Sequence, residues 1–487
     1  MRSVPSIQGD FFDETVYGRL LPEEDELLAI KEQIDLSCVE EETADLYGDC
    51  GRPAYPASVL FKMLFLEYYA NLSDVQVARQ CQYNLLYRAF VGLSIEDQTP
   101  DDTTLVVFRR RLGEERFGRL FDRLIAQCQA KGLLEGRLKI VDATHVIARV
   151  AIPNTVNLLR QARRRVIRAI EEQEGRLRKD LASRFATEGA LHGVPTAAVL
   201  QEEVQLSETL VAESQPYREA VAREVSLLKQ ILHPQQEGDK MVSVVDPEAR
   251  FGHKSPRKTF IGYKVHVAED SSELVTSLEV LKGNEHEGHR LPQLLAQEQA
   301  KGVCQAVLVA DGLYNSASNR ELITKAGMVG YIPLSKRRIK SQCFHYDPVN
   351  DSVVCPAGEA SIGTSRQGSG TMYTFSPGQC LSCQEGTDCP PLNGGRVRVY
   401  LSDNLREAWA MPSDSSKTIE QERKRVERKF GEAKQWHGLG HARYWGKSKI
   451  GIQALMTFFV INGQTHGQAS IWQSRENGGS GIGVLTN

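Results

Sequence analysis

The stretch LKIVDATHVIARV, residues 138–150, decides the fold class of this 487-residue chain. Its Val and Ile content predicts a β-strand, and Asp142 is a lone carboxylate within that apolar run. The stretch QAVLVADGLY, residues 305–314, repeats the pattern and puts Asp311 at the end of an apolar strand. Together the two stretches predict a sheet in which two strands each carry one acidic residue.

Three more strands and two helices are predicted around these stretches. The strands are FIGYKVHVAED (260–270), ELVTSLEVLKG (273–283) and MVGYIPL (328–334), and the helices are HRLPQLLAQEQAKG (289–302) and NRELITKAG (319–327). In chain order the pattern is three strands, a helix, a strand, a helix and a strand. That order is typical of a mixed α/β sheet flanked by helices.

The segment ahead of the sheet predicts an all-helical N-terminal domain over residues 1–135. ASVLFKMLFLEYYA (57–70) has the apolar content of a buried helix, and a shorter helix follows, capped by Ser73. A long basic helix further on contains Arg109 and Arg110. Two short helices joined by about three residues resemble a DNA-reading helix-turn-helix. Helical hairpins that only pack together are far commoner, so both interpretations stay open.

The rest of the chain is interpreted as one α/β domain with two insertions, followed by a tail. The domain extends over residues 136–463. Residues 155–235 return to helical periodicity and predict a helical hairpin or a coiled-coil-like insertion. Residues 340–400 lose regular pattern and contain four cysteines. The tail, residues 464–487, is rich in Gly, Ser and Gln and is predicted to be flexible.

Composition excludes several classes of protein. The chain is 41% hydrophobic and 25% charged, and its ten cysteines are too few for a disulfide scaffold. No apolar run approaches the roughly 18 residues that span a bilayer, so no membrane association is expected. These features predict a cytoplasmic protein. The charge is uneven: residues 417–449 hold ten Lys and Arg against four Asp and Glu, a pattern that suits either phosphate or a solvated helix face.

Asp142 and Asp311 are the first candidate catalytic residues. A carboxylate is costly to bury unless it is paired or binds a metal ion. If their strands are adjacent, the two carboxylates meet at one end of the sheet and can hold divalent cations. Each residue taken alone is better interpreted as a strand-end Asp that caps the next turn.

The helical segment QERKRVERKFGEAKQW, residues 421–436, supplies a third acid. Arg423, Glu427 and Lys434 are separated by four and seven residues, which puts them within about 40° of one another around a helix. One helix face then offers an acid flanked by two cations. The acid can complete a metal site and the cations can bind phosphates, although a salt-bridged surface helix has similar spacing.

These motifs together resemble the DDE transposases of bacterial insertion sequences. The shared features are the Arg-x3-Glu-x6-Lys helix preceded by two strand Asp residues, with VDATHV, FIGYKVH, GNEHEG and ADGLYNS. The helical N-terminal region is similar to that family as well, and the resemblance covers roughly residues 50–465. One departure is Glu420, which occupies the position of the family's Tyr in the Tyr-x2-Arg-x3-Glu-x6-Lys signature.

The resemblance implies a ribonuclease H-like sheet in which Asp142, Asp311 and Glu427 hold two Mg²⁺ or Mn²⁺ ions. It also implies binding of double-stranded DNA, both the inverted-repeat ends and the target, by a homodimer associated with a bacterial nucleoid. Arg423 and Lys434 would position phosphates.

Four further residues are candidate DNA contacts. Lys264 and His266 alternate on one strand and share a sheet face, from which they could reach a phosphate. A pair of solvated strand residues is an equal alternative. Arg109 and Arg110 belong to the basic N-terminal helix. His145 is interpreted as a hydrogen-bonded core histidine.

Four cysteines in the second insertion suggest a structural metal. Cys355, Cys380, Cys383 and Cys389 combine a Cys-x2-Cys pair with two flanking cysteines, which suits tetrahedral Zn²⁺. Their spacing is irregular, and free thiols in a loop are the alternative.

Three functions fit this sequence. The leading one is a transposase that cleaves and joins DNA. The others are a two-metal nuclease without strand transfer, which only the joined product would distinguish, and a catalytically silent DNA-binding protein.

Overall fold

The computed structural model describes residues 11–478 with several gaps. The residues that it leaves out within that range are 23, 49–52, 175–182, 186, 188, 190, 235–238, 256, 304, 334–343, 384–396, 404–405 and 407–412. Among the described residues, no helix is both long enough and apolar enough to cross a membrane.

The described elements follow the predicted order of a helical region, a sheet and two insertions. The helices are α1 Phe11–Leu20, α2 Glu26–Gln33, α3 Cys38–Thr43, α4 Ala57–Tyr69, α5 Asp74–Tyr83, α6 Leu85–Val91, α7 Asp102–Ala130, α8 Thr155–Glu174, α9 Ala197–Glu213, α10 Arg218–Leu232, α11 Leu291–Ala300, α12 Ala317–Lys325, α13 Pro377–Leu381, α14 Ser413–Gln435 and α15 Lys447–Gly478. The strands are β1 Leu138–Ile147, β2 Arg250–Ser255, β3 Lys258–Asp270, β4 Val275–Lys282, β5 Val307–Ala310, β6 Val329–Tyr331, β7 His345–Asp347, β8 Ser352–Val354, β9 Gly363–Gln367, β10 Gly370–Thr374 and β11 Arg398–Ser402.

The main sheet is mixed, as the sequence predicts. β3 lies between β1 on one side and β2 and β4 on the other, and it runs antiparallel to all three. β1, β5 and β6 follow as parallel neighbours. β2 is an addition to the predicted strands, and it forms a hairpin with the first residues of β3.

Gly262 allows β3 to change neighbours. It pairs with Arg250 of β2 and with Ile147 of β1, and its φ of +148° is one that L side chains rarely adopt. A Cβ atom there would collide with the backbone carbonyl of Val146. The glycine of the GYKVH motif therefore lets β1 and the β2–β3 hairpin approach one another closely.

The Ser73 cap predicted for the helix that follows α4 is confirmed. Ser73 and Gln76 form a capping box at the start of α5, and Gly92 ends α6 in the left-handed conformation. α4 and α5 are joined by the four-residue turn 70–73 and pack against each other and against other N-terminal helices.

The helical region and the sheet share one apolar core, although the sequence suggests separate domains. α15 is apolar on all sides and lies between them. Its Phe459 ring packs edge-on against Phe61 of α4 at 5.2 Å. Its Asn462 side chain bonds both backbone polar groups of Val275 on β4, at 2.9 and 2.8 Å. In place of the flexible tail predicted from residue 464, this helix continues to Gly478.

Both insertions have cores of their own. The first contains α8, α9 and α10, so it has one helix more than the predicted hairpin, and the buried Arg163 of α8 pairs with Glu203 of α9. The second is more regular than its sequence suggests. It forms the hairpin β7–β8 and the three-stranded sheet β11–β10–β9 around a small aromatic core.

Candidate active site

Asp142 and Asp311 lie at the same position on neighbouring strands. β1 and β5 are parallel, and Val141 pairs with Ala310 in their register. Each Asp is the next residue along its strand. The condition that the sequence left open, adjacency of the two acidic strands, is therefore met through main-chain pairing.

Asp142 is a half-buried carboxylate with a perturbed affinity for protons. Burial raises its pKa to about 7, and the negative charges of Asp311 and Glu427 act in the same direction. A hydrogen bond of 2.7 Å from the backbone N–H of Ala143 and the positive charge of Arg423 oppose this effect on the pKa. One guanidinium nitrogen of Arg423 lies 4.0 Å from the carboxylate.

Asp311 caps the turn that follows β5. It accepts a hydrogen bond of 2.7 Å from the backbone N–H of Leu313, so the turn-capping interpretation of this residue is also correct. Burial raises its pKa, whereas this hydrogen bond and the charge of Arg423 lower it. Arg423 thus acts on both strand carboxylates.

The helix α14 brings the third acid to this end of the sheet. It packs against β1 and β5 through an apolar face that includes Val426, Phe430 and Ala433. Glu427 is exposed, yet its charge raises the pKa of Asp142. The helix face predicted from the Arg423–Glu427–Lys434 spacing therefore turns toward β1.

The donor set suits divalent cations in its chemistry. Mg²⁺ and Mn²⁺ prefer carboxylate oxygens, and three carboxylates influence one another here. Within the described part of the chain, however, no three His, Cys, Asp or Glu side chains lie close enough together to hold a metal ion. The three carboxylates are therefore suitable ligands by their chemistry, but in this structure they are not as close together as a metal site requires.

Two family matches bear on this site. Residues 15–111 match the family described as Transposase domain (DUF772), and residues 232–462 match the family described as Transposase DDE domain. This chain belongs to the DDE transposases of insertion sequences. The second match contains Asp311 and Glu427 but begins after β1 and the helical insertion, so it does not include Asp142. No curated protein and no solved structure matches the transposase.

Lys434 of the transposase contacts β1 nearer to the C-terminal end of that strand than Arg423 does. Its ammonium group is 3.4 Å from Nδ1 of His145, which follows Asp142 by three residues. Burial, Lys434 and Lys254 lower the pKa of His145 to about 4, so the imidazole is neutral and accepts the hydrogen bond. The ring of His145 also lies 5.2 Å from that of Phe260. The sequence did not reveal this contact, since the two residues are 289 positions apart.

Lys264 and His266 do not face the solvent in the structure. The ammonium group of Lys264 bonds the Glu287 carboxylate at 2.6 Å and the carbonyl of Glu285 at 2.8 Å. His266 is fully buried and lies 3.2 Å from the carboxylate of Glu279. Its ring also stacks on that of Tyr314 at 5.7 Å, so in this structure it presents no exposed group for the predicted DNA contact.

Arg109 and Arg110 occupy opposite environments. Arg109 is buried and forms ion pairs with Glu67 of α4 and Asp74 of α5, so in this structure it presents no exposed group for the predicted DNA contact. Ion pairing offsets the cost of burying the guanidinium, and removing one partner would leave the other charge buried without compensation. Arg110 is exposed and stays a predicted DNA contact.

The predicted zinc ligands lie partly outside the described residues. Cys355 and Cys380 pack against the same small core, and the side chains of Gln379 and Glu359 join their segments by a hydrogen bond of 2.8 Å. Cys383 follows on the turn after α13. Cys389 lies outside the described residues, as does the side chain of Glu420, the residue that departs from the family signature.

Proposed function

We propose that this transposase binds the terminal inverted repeats of an insertion sequence, cleaves the DNA there and joins the freed ends to target DNA. The observation that supports this most strongly is the meeting of two adjacent strands with one helix. Asp142 and Asp311 follow paired residues of β1 and β5, and Glu427 comes from the helix packed against both strands. The strand order β4–β3–β1–β5–β6, with β3 antiparallel to its neighbours, supports a ribonuclease H-like assignment.

Asp142, Asp311 and Glu427 are the residues that would hold Mg²⁺ or Mn²⁺. When bound, the cations would lower the pKa of the attacking oxygen and stabilise the leaving oxygen of an in-line displacement. Arg423 partly neutralises the two strand carboxylates in the chain alone. Because Glu427 is exposed, its side chain is free to approach them when DNA arrives.

The reaction has two displacements at phosphorus. Water first attacks the phosphodiester at the end of the element, and the bond to the 3′ oxygen breaks, which leaves a 3′-hydroxyl and a 5′-phosphate. That hydroxyl then attacks a phosphodiester of the target and displaces its 3′ oxygen. Arg423 and Lys434 would hold the phosphates on either side through charged hydrogen bonds.

Joining two element ends needs two active sites, so we infer that a homodimer forms on DNA at the bacterial nucleoid. The test uses DNA that carries both ends of the element, a supercoiled target and Mg²⁺ or Mn²⁺. Cleavage at the ends together with joined product supports the transposase. Cleavage without joined product would favour a nuclease, and binding without cleavage would favour a silent DNA-binding protein.

A further inference from the structure

We propose that the β2–β3 hairpin and the C-terminal half of α14 form one phosphate-binding surface for the DNA strand beside the cleaved bond, with Lys254 and Lys434 as its central contacts. This inference rests on the proposed function, since it assumes that DNA reaches the acidic residues. It adds a specific surface, the hairpin, that the acid triad and the helix signature do not include.

The first observation is that Lys434 is half-buried without an acidic partner. No carboxylate of a described residue lies within ion-pair distance of its ammonium group. Its neighbours are the neutral ring of His145 and the positive charge of Lys254 on β2. Burial and the charge of Lys254 lower the pKa of Lys434 to about 8. Two cations therefore share one region with no described acid to neutralise them.

Several other lysines of similar burial in the described chain have an acid nearby. Burial and Lys31 also lower the pKa of Lys62 to about 8, but the charge of Glu40 raises it. Lys264 bonds Glu287 at 2.6 Å, and Lys301 bonds Asp122 at 2.6 Å. Lys139 pairs with Glu298 in the interior. A partly buried cation is normally stabilised by such a partner. Lys434 lacks one, which is what is expected where the partner is an anion that binds from outside.

The second observation is the charge of the hairpin itself. His253, Lys254, Arg257 and Lys258 are exposed on β2, on the turn and on the first residue of β3. None of them forms an ion pair with a described acidic residue. The hairpin is tied to the active-site region, because Phe260 packs near His145 and its ring fills the space beside Gly252.

The spacing of these cations suits a continuous DNA strand. His145 follows Asp142 by three residues, which is about 10 Å along a strand. Nucleotides in one strand of duplex DNA rise by about 3.4 Å each. Lys434 thus lies about three nucleotides from the acids, and the hairpin extends the positive surface further. A single small anion would not need exposed cations over that length.

The first experiment measures affinity for a labelled duplex of the element's end, without divalent metal, over a range of salt concentrations. The hairpin variant is Lys254→Gln/Lys258→Gln. The control variant is Lys229→Gln/Lys325→Gln, which removes two exposed lysines on helices α10 and α12. Each lost phosphate contact should make the negative slope of log affinity against log salt shallower by about 0.9, and should reduce the affinity at 0.1 M salt by roughly tenfold. The control pair should match wild type.

The second experiment locates the contacts on the DNA. Neutral methylphosphonates replace single phosphates near the cut site. Wild type should lose affinity when the phosphates about three nucleotides from the cut, and those beyond them, are made neutral. The hairpin variant should still lose affinity at about three nucleotides, where Lys434 remains, but should be insensitive to the neutral phosphates beyond. An unchanged pattern in the variant, or a hairpin variant with wild-type affinity, would overturn this inference. If wild type cuts no end DNA at all, the failure belongs to the proposed function instead.

Discussion

The guanidinium of Arg423 lies 4.0 Å from the carboxylate of Asp142, on the side of β1 that α14 covers. Its positive charge lowers the pKa of Asp142 and of Asp311. A cation supplied by the chain thus occupies the neighbourhood in which divalent cations are proposed to bind. The two strand carboxylates therefore interact with a positive charge in the chain alone, before any metal or DNA binds.

This arrangement predicts that metal binding depends on DNA. Because no described group of three side chains has metal-site spacing, the free protein should take up Mn²⁺ weakly, and its complex with uncleavable end DNA should take it up at least tenfold more tightly. Electron paramagnetic resonance of Mn²⁺ measures the uptake. Asp311→Asn should remove the DNA-dependent part. Equal uptake with and without DNA would show that the acids need no assembly.

DNA affinity should fall as the pH rises through the pKa of Lys434. That pKa is lowered to about 8 by burial and by Lys254, so the ammonium charge is present at pH 7 and largely lost at pH 9. His145, the other titratable group in contact, is neutral over this range because its pKa is lowered to about 4. Lys434→Arg keeps its charge at pH 9 and should show a flatter profile. A profile unchanged by this substitution would exclude Lys434 as the titrating group.

Adjacent arginines of α7 should separate stability from DNA binding. Arg109→Met leaves Glu67 buried without this partner, so the free energy of unfolding should fall by about 3 kcal/mol. Burial raises the pKa of Glu67, because the site solvates the charged carboxylate poorly. Arg110→Ala should change stability by less than about 0.5 kcal/mol and weaken DNA binding. Chemical denaturation and anisotropy check the two effects, and equal loss of stability in both variants would contradict this assignment.

The cysteine segment should hold structural zinc. If Cys355, Cys380, Cys383 and Cys389 bind it as four thiolates, the purified protein contains one Zn²⁺ per chain. Cys355→Ser should release it, whereas Cys81→Ser, at a buried cysteine of α5, should not. Elemental analysis by mass spectrometry measures the content. Wild type without zinc, prepared without chelators, would favour free thiols.

Local sequence patterns predicted most of the fold. Strand and helix periodicity and the Ser73 cap determine elements over short distances, and these agree with the structure. The adjacency of β1 and β5 was an inference from two similar strands, and the register confirms it. The spacing of Arg423 and Glu427 predicted their common face because a helix has a fixed period.

Contacts between distant segments could not be predicted. Arg109 looks like any arginine of a basic helix until α4 and α5 fold over it and bring Glu67 and Asp74 to it. His266 alternates with an apolar neighbour, but β4 and Tyr314 enclose it. The core shared through α15 was hidden for the same reason, since its partners lie several hundred residues earlier in the chain.

The most direct test of the central claim is cleavage of end DNA by Asp311→Asn in the presence of Mn²⁺. Asparagine keeps an oxygen that can accept the hydrogen bond from Leu313, so the turn should stay intact while the negative charge is lost. Asp347→Asn is the matched control, because Asp347 caps an exposed turn in the same way at 2.9 Å from the N–H of Val349. We predict that Asp311→Asn binds end DNA like wild type but cleaves it roughly a thousandfold more slowly or not at all, while the control cleaves normally. Cleavage by Asp311→Asn at the wild-type rate would contradict the account.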